Sequence, residues 1–307
     1  MTDLAVGIDI GGTKTAVGLV TRTGEVIARL DAPTPANEGG DSIVSAASSL
    51  AHTLLHGRTV IGVGVGAAGV IDSVARRVVS ATGSLSNWAG TDLGRAFEAA
   101  LDLPVVVQND VHAHAAGEAF VGAGRGHGTV LVAAVGTGIG GAVVVDGQPQ
   151  FGAHGVAGHL GHLPAEEAAG ILCPCGREGH LEAIASGTAL HELYLRLGGD
   201  ADVQDAREVV RRTDNDQRAR TAVVTSARAL GRCLGGLVNV IDPDIVIIAG
   251  GMRRAGALWW SSVEEAMRTT AMPLVERVPL VEASLGDDAA IIGAARGAFE
   301  SLEAVNQ

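Results

Sequence analysis

Two glycine-rich turns, Gly7-Ile8-Asp9-Ile10-Gly11-Gly12-Thr13-Lys14 and Gly136-Thr137-Gly138-Ile139-Gly140-Gly141, each follow a β-branched run and carry groups that can surround phosphate. Backbone N–H groups in such turns approach phosphate oxygens closely because no side chain intervenes. In the first turn Asp9 stands at a strand end, placed to hold a water of a bound Mg2+, with Thr13 and Lys14 beside the phosphates. One such loop reads equally well as a hairpin with glycine at positive φ. Two of them at equivalent places are hard to explain as turns alone. Neither is a Walker A loop, because Gly-x-x-x-x-Gly-Lys-Ser/Thr is absent.

Two further constellations could do chemistry. Asp110 follows the run Pro104–Gln108 and opens a helical segment, which puts a carboxylate at a helix N-terminus. Its commoner reading is a helix N-cap. His162, Cys173, Cys175 and His180 form the densest group of metal-ligand side chains, and thiolates mixed with imidazoles suit tetrahedral Zn2+. A bare Cys-x-Cys is more often two buried cysteines beside unrelated histidines.

The elements that must position these residues follow from periodicity. Residues 4–10 and 15–20 read as strands around the first turn, with 26–30 as a third. Residues 42–55 read as a helix, 60–65 as a strand, 92–101 as a helix and 104–107 as a buried strand. A second set starts near residue 110: a helix over 111–120, then strands 129–135 and 141–145 on either side of the second turn. This repetition of strand, glycine turn and strand is a weak internal duplication, two related α/β lobes each supplying a phosphate loop. Residues 182–240 are mainly helical, with polar breaks at 198–205 and 211–216. Residues 245–249 form a buried strand running into Gly250-Gly251, and the last helix, 289–304, packs back on the first lobe. The expected division is 1–108 plus 290–307, and 109–289.

At 307 residues, 47% hydrophobic and 18% charged, the chain is long enough for two cored lobes. A net charge of −12 lacks the basic excess of nucleic-acid or anionic-membrane binders, so an anionic ligand needs a local positive site or a metal. No apolar run reaches the roughly 18 residues that cross a bilayer, and no secretion signal is visible. Three cysteines, an odd number, fit a reducing cytoplasm.

The segments GIDIGGTKTAVGLV, QNDVHAHAAGE, VGTGIGGAVV, GHLGH and CPCGREGHLEAIASG occur in the order found in ROK-family sugar kinases, and the resemblance covers nearly the whole chain. It implies an actin-like α/β fold of two RNase H-like lobes with ATP and sugar in the interlobe cleft. ROK repressors add an N-terminal helix-turn-helix, whereas this chain starts at the first phosphate strand and resembles the kinase branch. The resemblance assigns Asp110 as the general base that accepts a proton from the sugar's 6-hydroxyl. It assigns Asn109, Gly69 and Glu182 to the sugar, and Gly250-Gly251 to a turn beside the adenosine. It implies homodimers or homotetramers, with no nucleic-acid or membrane partner.

Five positions depart from the family pattern. His112 replaces an asparagine two residues after the base. His180 replaces the third cysteine of the family's zinc loop, which retains ligand chemistry and implies a structural Cys2His2 zinc. Gly66-Ala67-Ala68-Gly69 replaces Gly-Pro-Gly. Ser84 stands where the sugar-binding asparagine precedes Trp88. His159-Leu160-Gly161-His162 replaces Glu-x-Gly-His, so an imidazole with one donor and one acceptor stands where a carboxylate accepts sugar hydroxyls. This version is similar to that of bacterial N-acetylmannosamine kinases and points to N-acetylmannosamine ahead of glucose. Two other readings are a regulator that keeps the fold without kinase activity, and a zinc-ribbon nucleic-acid binder. Asp9, Lys14, the second loop and Asp110 argue against the first, and the acidic balance argues against the second. Trp259-Trp260 reads as core or subunit interface, Arg211, Arg212 and Arg218 as a solvated face, and Cys233 as a small buried residue of a helix.

Overall fold

The computed structural model describes residues 3–305 except Thr82 and Ser84, with side chains described as far as Ser301. The chain divides into two compact units, Met1–His127 with Val143–Ala157 and Ser284–Gln307, and Gly128–Ala142 with Gly158–Ala283. The division expected at 108/109 differs from this one. The helix after residue 109 groups with the first unit because it packs along the chain's last helix.

The first unit runs β1 (Leu4–Ile10), β2 (Lys14–Thr21), β3 (Val26–Pro33), α1 (Gly40–Leu55), β4 (Val63–Ala67), β5 (Val70–Asp72), β6 (Arg77–Ser80), α2 (Leu93–Leu101), β7 (Val105–Asn109) and α3 (Asp110–Val121). Its five-stranded sheet has the order β3-β2-β1-β4-β7. The hairpin strands are antiparallel, and β1, β4 and β7 are parallel. Parallel strands covered on both faces need mainly apolar side chains, which Val63–Ala67 and, Asp9 aside, Leu4–Ile10 supply.

Alternation along β1 sends Val6, Ile8 and Ile10 into a core with Ile43, Ala47, Phe97 and Leu101 of α1 and α2. Ala5, Gly7 and Asp9 face the other way. On that side the backbone of the last helix comes so close that a Cβ at Gly7 would stand 2.0 Å from Ile291 O, and one at Gly64 1.7 Å from Ala294 O.

The second unit is built from β8 (Thr129–Val135), β9 (Ile139–Val145), α4 (Glu182–Ala185), α5 (Gly187–Arg196), α6 (Ala206–Arg211), α7 (Gln217–Ile241), β11 (Ile245–Ala249), α8 (Gly256–Thr270) and β12 (Leu280–Glu282), with β10 (Gln148–Pro149) extending its sheet. The sheet order, β10-β9-β8-β11-β12, repeats that of the first sheet strand for strand, with β8, β11 and β12 parallel. The end of β9 and all of β10 group with the first unit. Asp216 caps α7 through bonds from Arg218 N and Ala219 N, and Asp242 ends it in the left-handed region at φ 51°. The chain closes with α9 (Ala289–Val305), which covers β1 and β4 in the first unit, as expected.

Several elements differ from expectation. The β5–β6 hairpin, α8 and β12 had no periodic signal, and β9 begins at Ile139, inside the second glycine turn. Trp259 is fully buried, and Trp260 Nε1 donates to Arg253 O at 2.8 Å, as core residues would. Cys233 lies in α7 but is only half-buried, a correction to its expected burial. No helix among the described residues is long and apolar enough to cross a membrane.

Candidate functional site

In the first unit, the glycine turn links β1 to β2. Gly11 N donates to Lys14 O at 3.1 Å, and the buried Thr34 hydroxyl donates to Gly11 O at 2.8 Å while pairing with Thr15 Oγ1 at 2.9 Å. Lys14 Nζ lies 2.7 Å from Asp287, and Arg29 holds Asp288 at 2.5 Å. Thr34, Arg29, Asp287 and Asp288 had no sequence signal, because their partners are brought to them only by the fold. Thr13 is exposed, and Gly11 and Gly12 are half-buried.

Asp9 is part-buried at the end of β1. Its carboxyl is raised to about 7, first by burial, then by the Asp110 charge, with Lys14 and Arg29 pulling it down. Two carboxylates close enough to feel each other, next to two cations, form a site that gains from a further positive charge. A Mg2+ arriving with a nucleotide would fit that arrangement, with Asp9 able to hold one of its waters.

Asn109 ends β7 and is the N-cap of α3, accepting from Val111 N at 2.9 Å and His112 N at 3.1 Å. The cap expected of Asp110 thus belongs to its neighbour, leaving Asp110 as the first helical residue. Asp110 Oδ1 accepts from Val111 N at 2.9 Å and from Asn109 Nδ2 at 2.8 Å. Burial raises its carboxyl above the usual range, against these hydrogen bonds, which lower it. Asn109 Nδ2 also donates to Gly69 O at 2.9 Å, so both its amide hydrogens meet protein acceptors.

Gly69 sits at φ 104°, where a Cβ would also meet Ser80 O at 2.6 Å. The preceding carbonyl, Ala68 O, accepts from the Trp88 indole at 2.8 Å, so the 66–69 turn is pinned from two sides. His112 is buried, its Nε2 lies 2.9 Å from Ala157 O, and its ring meets Phe151 edge-on at 5.2 Å. Ser84 lies outside the described residues.

In the second unit, the glycine turn links β8 to β9. Gly136 N donates to Gly138 O at 2.9 Å, Ile139 N donates to Glu182 Oε2 at 2.7 Å, and Gly187 N donates to Gly136 O at 2.7 Å. Thr137 is exposed, Gly140 half-buried, and Gly141 packs against Leu160 and the backbone of Gly158. Gly250, at φ 81°, follows β11 so closely beside β8 that a Cβ would stand 2.4 Å from Val135 O, while Gly251 is exposed.

Between residues 158 and 181 the second unit has only two short 3-10 turns, Leu160–His162 and Glu166–Ala168, and two isolated bridges, Pro164 with His180 and Leu172 with Glu178. This segment gathers His162, Cys173, Cys175 and His180, with ligand atoms all within 4.8 Å of one another. His162 Nδ1 lies 3.7 Å from Cys173 Sγ, and His180 Nδ1 3.2 Å from Cys175 Sγ. Tetrahedral zinc with bonds of about 2.0–2.3 Å sets ligand atoms roughly 3.3–3.8 Å apart, so these four residues fit zinc after a small contraction. Burial pushes the Cys173 thiol up to about 11, so binding a cation there must displace a proton. His159 stacks on His162 with ring centroids 6.4 Å apart.

The two units thus share one sheet order, each with a glycine turn between its first two strands, in an α/β fold with mixed sheets. Residues 5–299 match the ROK family. A glucokinase from Thermotoga maritima is 31% identical, covering 94% of this chain and 95% of its own. An N-acetylmannosamine kinase from Yersinia pestis is 32% identical, covering 97% and 99%. The crystal structure of a ROK family glucokinase from Streptomyces griseus, in complex with glucose and AMPPNP, is similar with a TM-score of 0.82 at 30% identity, covering 97% of this chain and 99% of that one. The chain belongs to the ROK family, and its enzymatic class is that of the family's ATP-dependent sugar kinases.

Proposed function

We propose that this chain phosphorylates the 6-hydroxyl of a hexose with ATP, and that glucose is its first substrate. The observation that carries the reading is Asp110, a part-buried carboxylate with raised proton affinity, held by Asn109 and Val111 N, on the same unit as the Asp9–Lys14 loop. A base whose pKa is moved towards neutrality takes a hydroxyl proton better than an ordinary carboxylate. In this reading Asp110 accepts the proton as the sugar oxygen attacks the terminal phosphorus, the bond from that phosphorus to the bridging oxygen breaks, and ADP leaves.

The phosphate-binding groups are Gly11, Gly12, Thr13 and Lys14 in the first unit, and Gly136, Thr137, Gly138, Gly140 and Gly141 in the second. Gly250 and Gly251 lie beside the adenosine. Asp9 holds Mg2+, which supplies charge neutralisation when bound. The sugar-binding residues are Gly69, Ser84 and Asn109 of the first unit and His159, His162 and Glu182 of the second. Both Asn109 amide hydrogens are already donated, so its main part is to aim Asp110. A structural zinc on His162, Cys173, Cys175 and His180 would brace the segment bearing His162 and Glu182.

Glucose stands first because glucokinases are prominent among the similar proteins. One specific observation favours a second reading: His159 replaces the carboxylate usual at that position, which suits the N-acetylmannosamine expected from the motif. An odd number of cysteines, two of them assigned here to zinc, supports a cytoplasmic setting. The test is a panel of glucose, mannose, N-acetylglucosamine, N-acetylmannosamine and fructose with ATP and Mg2+, reading ADP release. The reading predicts the highest kcat/KM for glucose. N-acetylmannosamine in first place would move the assignment to the second reading, and no turnover with any sugar would refute the activity. Asp110→Asn should lower kcat by roughly 10²–10⁴-fold while sparing sugar affinity, and near-normal turnover would remove Asp110 from its role.

A further inference from the structure

The second glycine loop is held on both flanks by one short segment, residues 182–187. Glu182 Oε2 takes the Ile139 N–H at 2.7 Å, and Gly187 N donates to Gly136 O at 2.7 Å. The carboxylate lies so close against the loop that a Cβ on Gly138 would stand 2.7 Å from Oε2. A side chain at position 138 would therefore displace the Glu182 carboxylate from the loop.

The segment is itself rigidly seated. Leu181, Ala183, Ile184, Ala185 and Ser186 are buried, and Ser186 caps α5 by accepting from Ala189 N at 3.1 Å. Leu181 N donates to Leu163 O at 2.9 Å, and Ala183 N to His180 O at 3.0 Å. Only Oε2 of Glu182 accepts a hydrogen bond among the described residues, so Oε1 remains to accept from a sugar hydroxyl.

We propose that Glu182 is a positioning residue for the second phosphate loop and couples that loop to the sugar. Oε2 sets the loop through the Ile139 N–H, and Oε1 takes the sugar. The inference rests on the proposed reading that Glu182 binds sugar and residues 136–141 bind phosphate. Its physical basis is that a sugar held on Oε1 immobilises the carboxylate that shapes the loop. The nucleotide then meets an ordered loop and loses less conformational freedom on binding. By linkage, the sugar must raise nucleotide affinity by the same factor as the nucleotide raises sugar affinity.

The experiment uses the full chain with AMPPNP and Mg2+, and glucose and N-acetylmannosamine as sugar probes. It measures each Kd alone and with the other ligand saturating, together with amide exchange at Ile139. Wild type should show a reciprocal coupling of several-fold. Glu182→Ala should speed Ile139 exchange, weaken AMPPNP about tenfold without sugar and abolish the coupling. Glu182→Gln keeps a side-chain oxygen able to accept from Ile139, so it should retain Ile139 protection and AMPPNP affinity within about twofold while losing sugar affinity.

Unchanged Ile139 exchange and AMPPNP affinity in Glu182→Ala would overturn the inference, even with sugar binding lost. If Val246–Ile248 of β11 also open in the alanine variant, Glu182→Gln decides alone. Retained Ile139 protection then supports the inference, and its loss overturns it. A wild type that binds neither AMPPNP nor either sugar would instead refute the functional reading beneath it.

Discussion

Replacing Asp9 by asparagine removes a carboxyl whose proton affinity the fold has raised, and the structure sets the size and sign of the effect. The carboxyl titrates at about 7 in the native state, against an ordinary value of 3.8. At about 1.4 kcal/mol per pH unit, ionising it costs the folded protein at most about 4 kcal/mol. The folded state binds this proton more tightly than the unfolded chain does. The stabilisation is therefore complete below the ordinary carboxylate pKa and is lost as pH rises to about 7. Asp9→Asn has no such loss. Its stability advantage over wild type should grow by about 1.4 kcal/mol per unit between roughly pH 4 and 7 and level off above that. Urea unfolding of both proteins without divalent cations, at intervals from about pH 4.5 to 8.5, measures it. Adding Mg2+ and AMPPNP should shrink the advantage, since a cation favours the ionised carboxylate that only wild type has. A difference that does not vary with pH would refute the electrostatic account. So would an asparagine variant that is the less stable across the range.

Further outcomes follow from other parts of the two units. Stripping metal with a chelator should release close to one zinc per chain by atomic absorption and lower Tm, and His180→Ala should reproduce both effects. Metal loading should fall with falling pH, because the thiols and imidazoles must be deprotonated to bind. Glu118 is fully buried and accepts from Ala123 N at 2.9 Å, Ser284 N at 3.1 Å, Ser284 Oγ at 3.2 Å and Leu285 N at 2.8 Å, so Glu118→Ala should cost roughly 3 kcal/mol or more in chemical denaturation. Removing the Lys14–Asp287 pair by Asp287→Asn should change stability by about 1 kcal/mol or less, because both side chains are substantially exposed.

Much of this protein is legible in its residue order. Strands β1, β2, β8 and β11 follow from apolar and β-branched runs, because a strand buried on both faces needs side chains of one kind at successive positions. The two glycine turns are visible because glycine alone tolerates a close backbone approach. The four metal-ligand residues are visible because few other side chains bind zinc, and ligand type survives even where His180 replaces a cysteine. The short pieces β5, β6 and β12 left no signal, since three or four residues carry no period.

What the residue order alone determined is therefore chemistry that resides in single side chains and local turns: a glycine turn with Asp9 and Lys14, its counterpart at 136–141, a carboxylate at 110 and four side chains able to ligate a metal. The tertiary structure decided who meets whom. Lys14 finds Asp287, 273 positions away. Asn109 takes the cap and leaves Asp110 its carboxylate. Glu182 crosses 43 positions to hold Ile139 N–H. Asp9 becomes a raised acid only because burial and Asp110 surround it. These are sums over neighbours distant in sequence, and a sequence shows the neighbours without their distances.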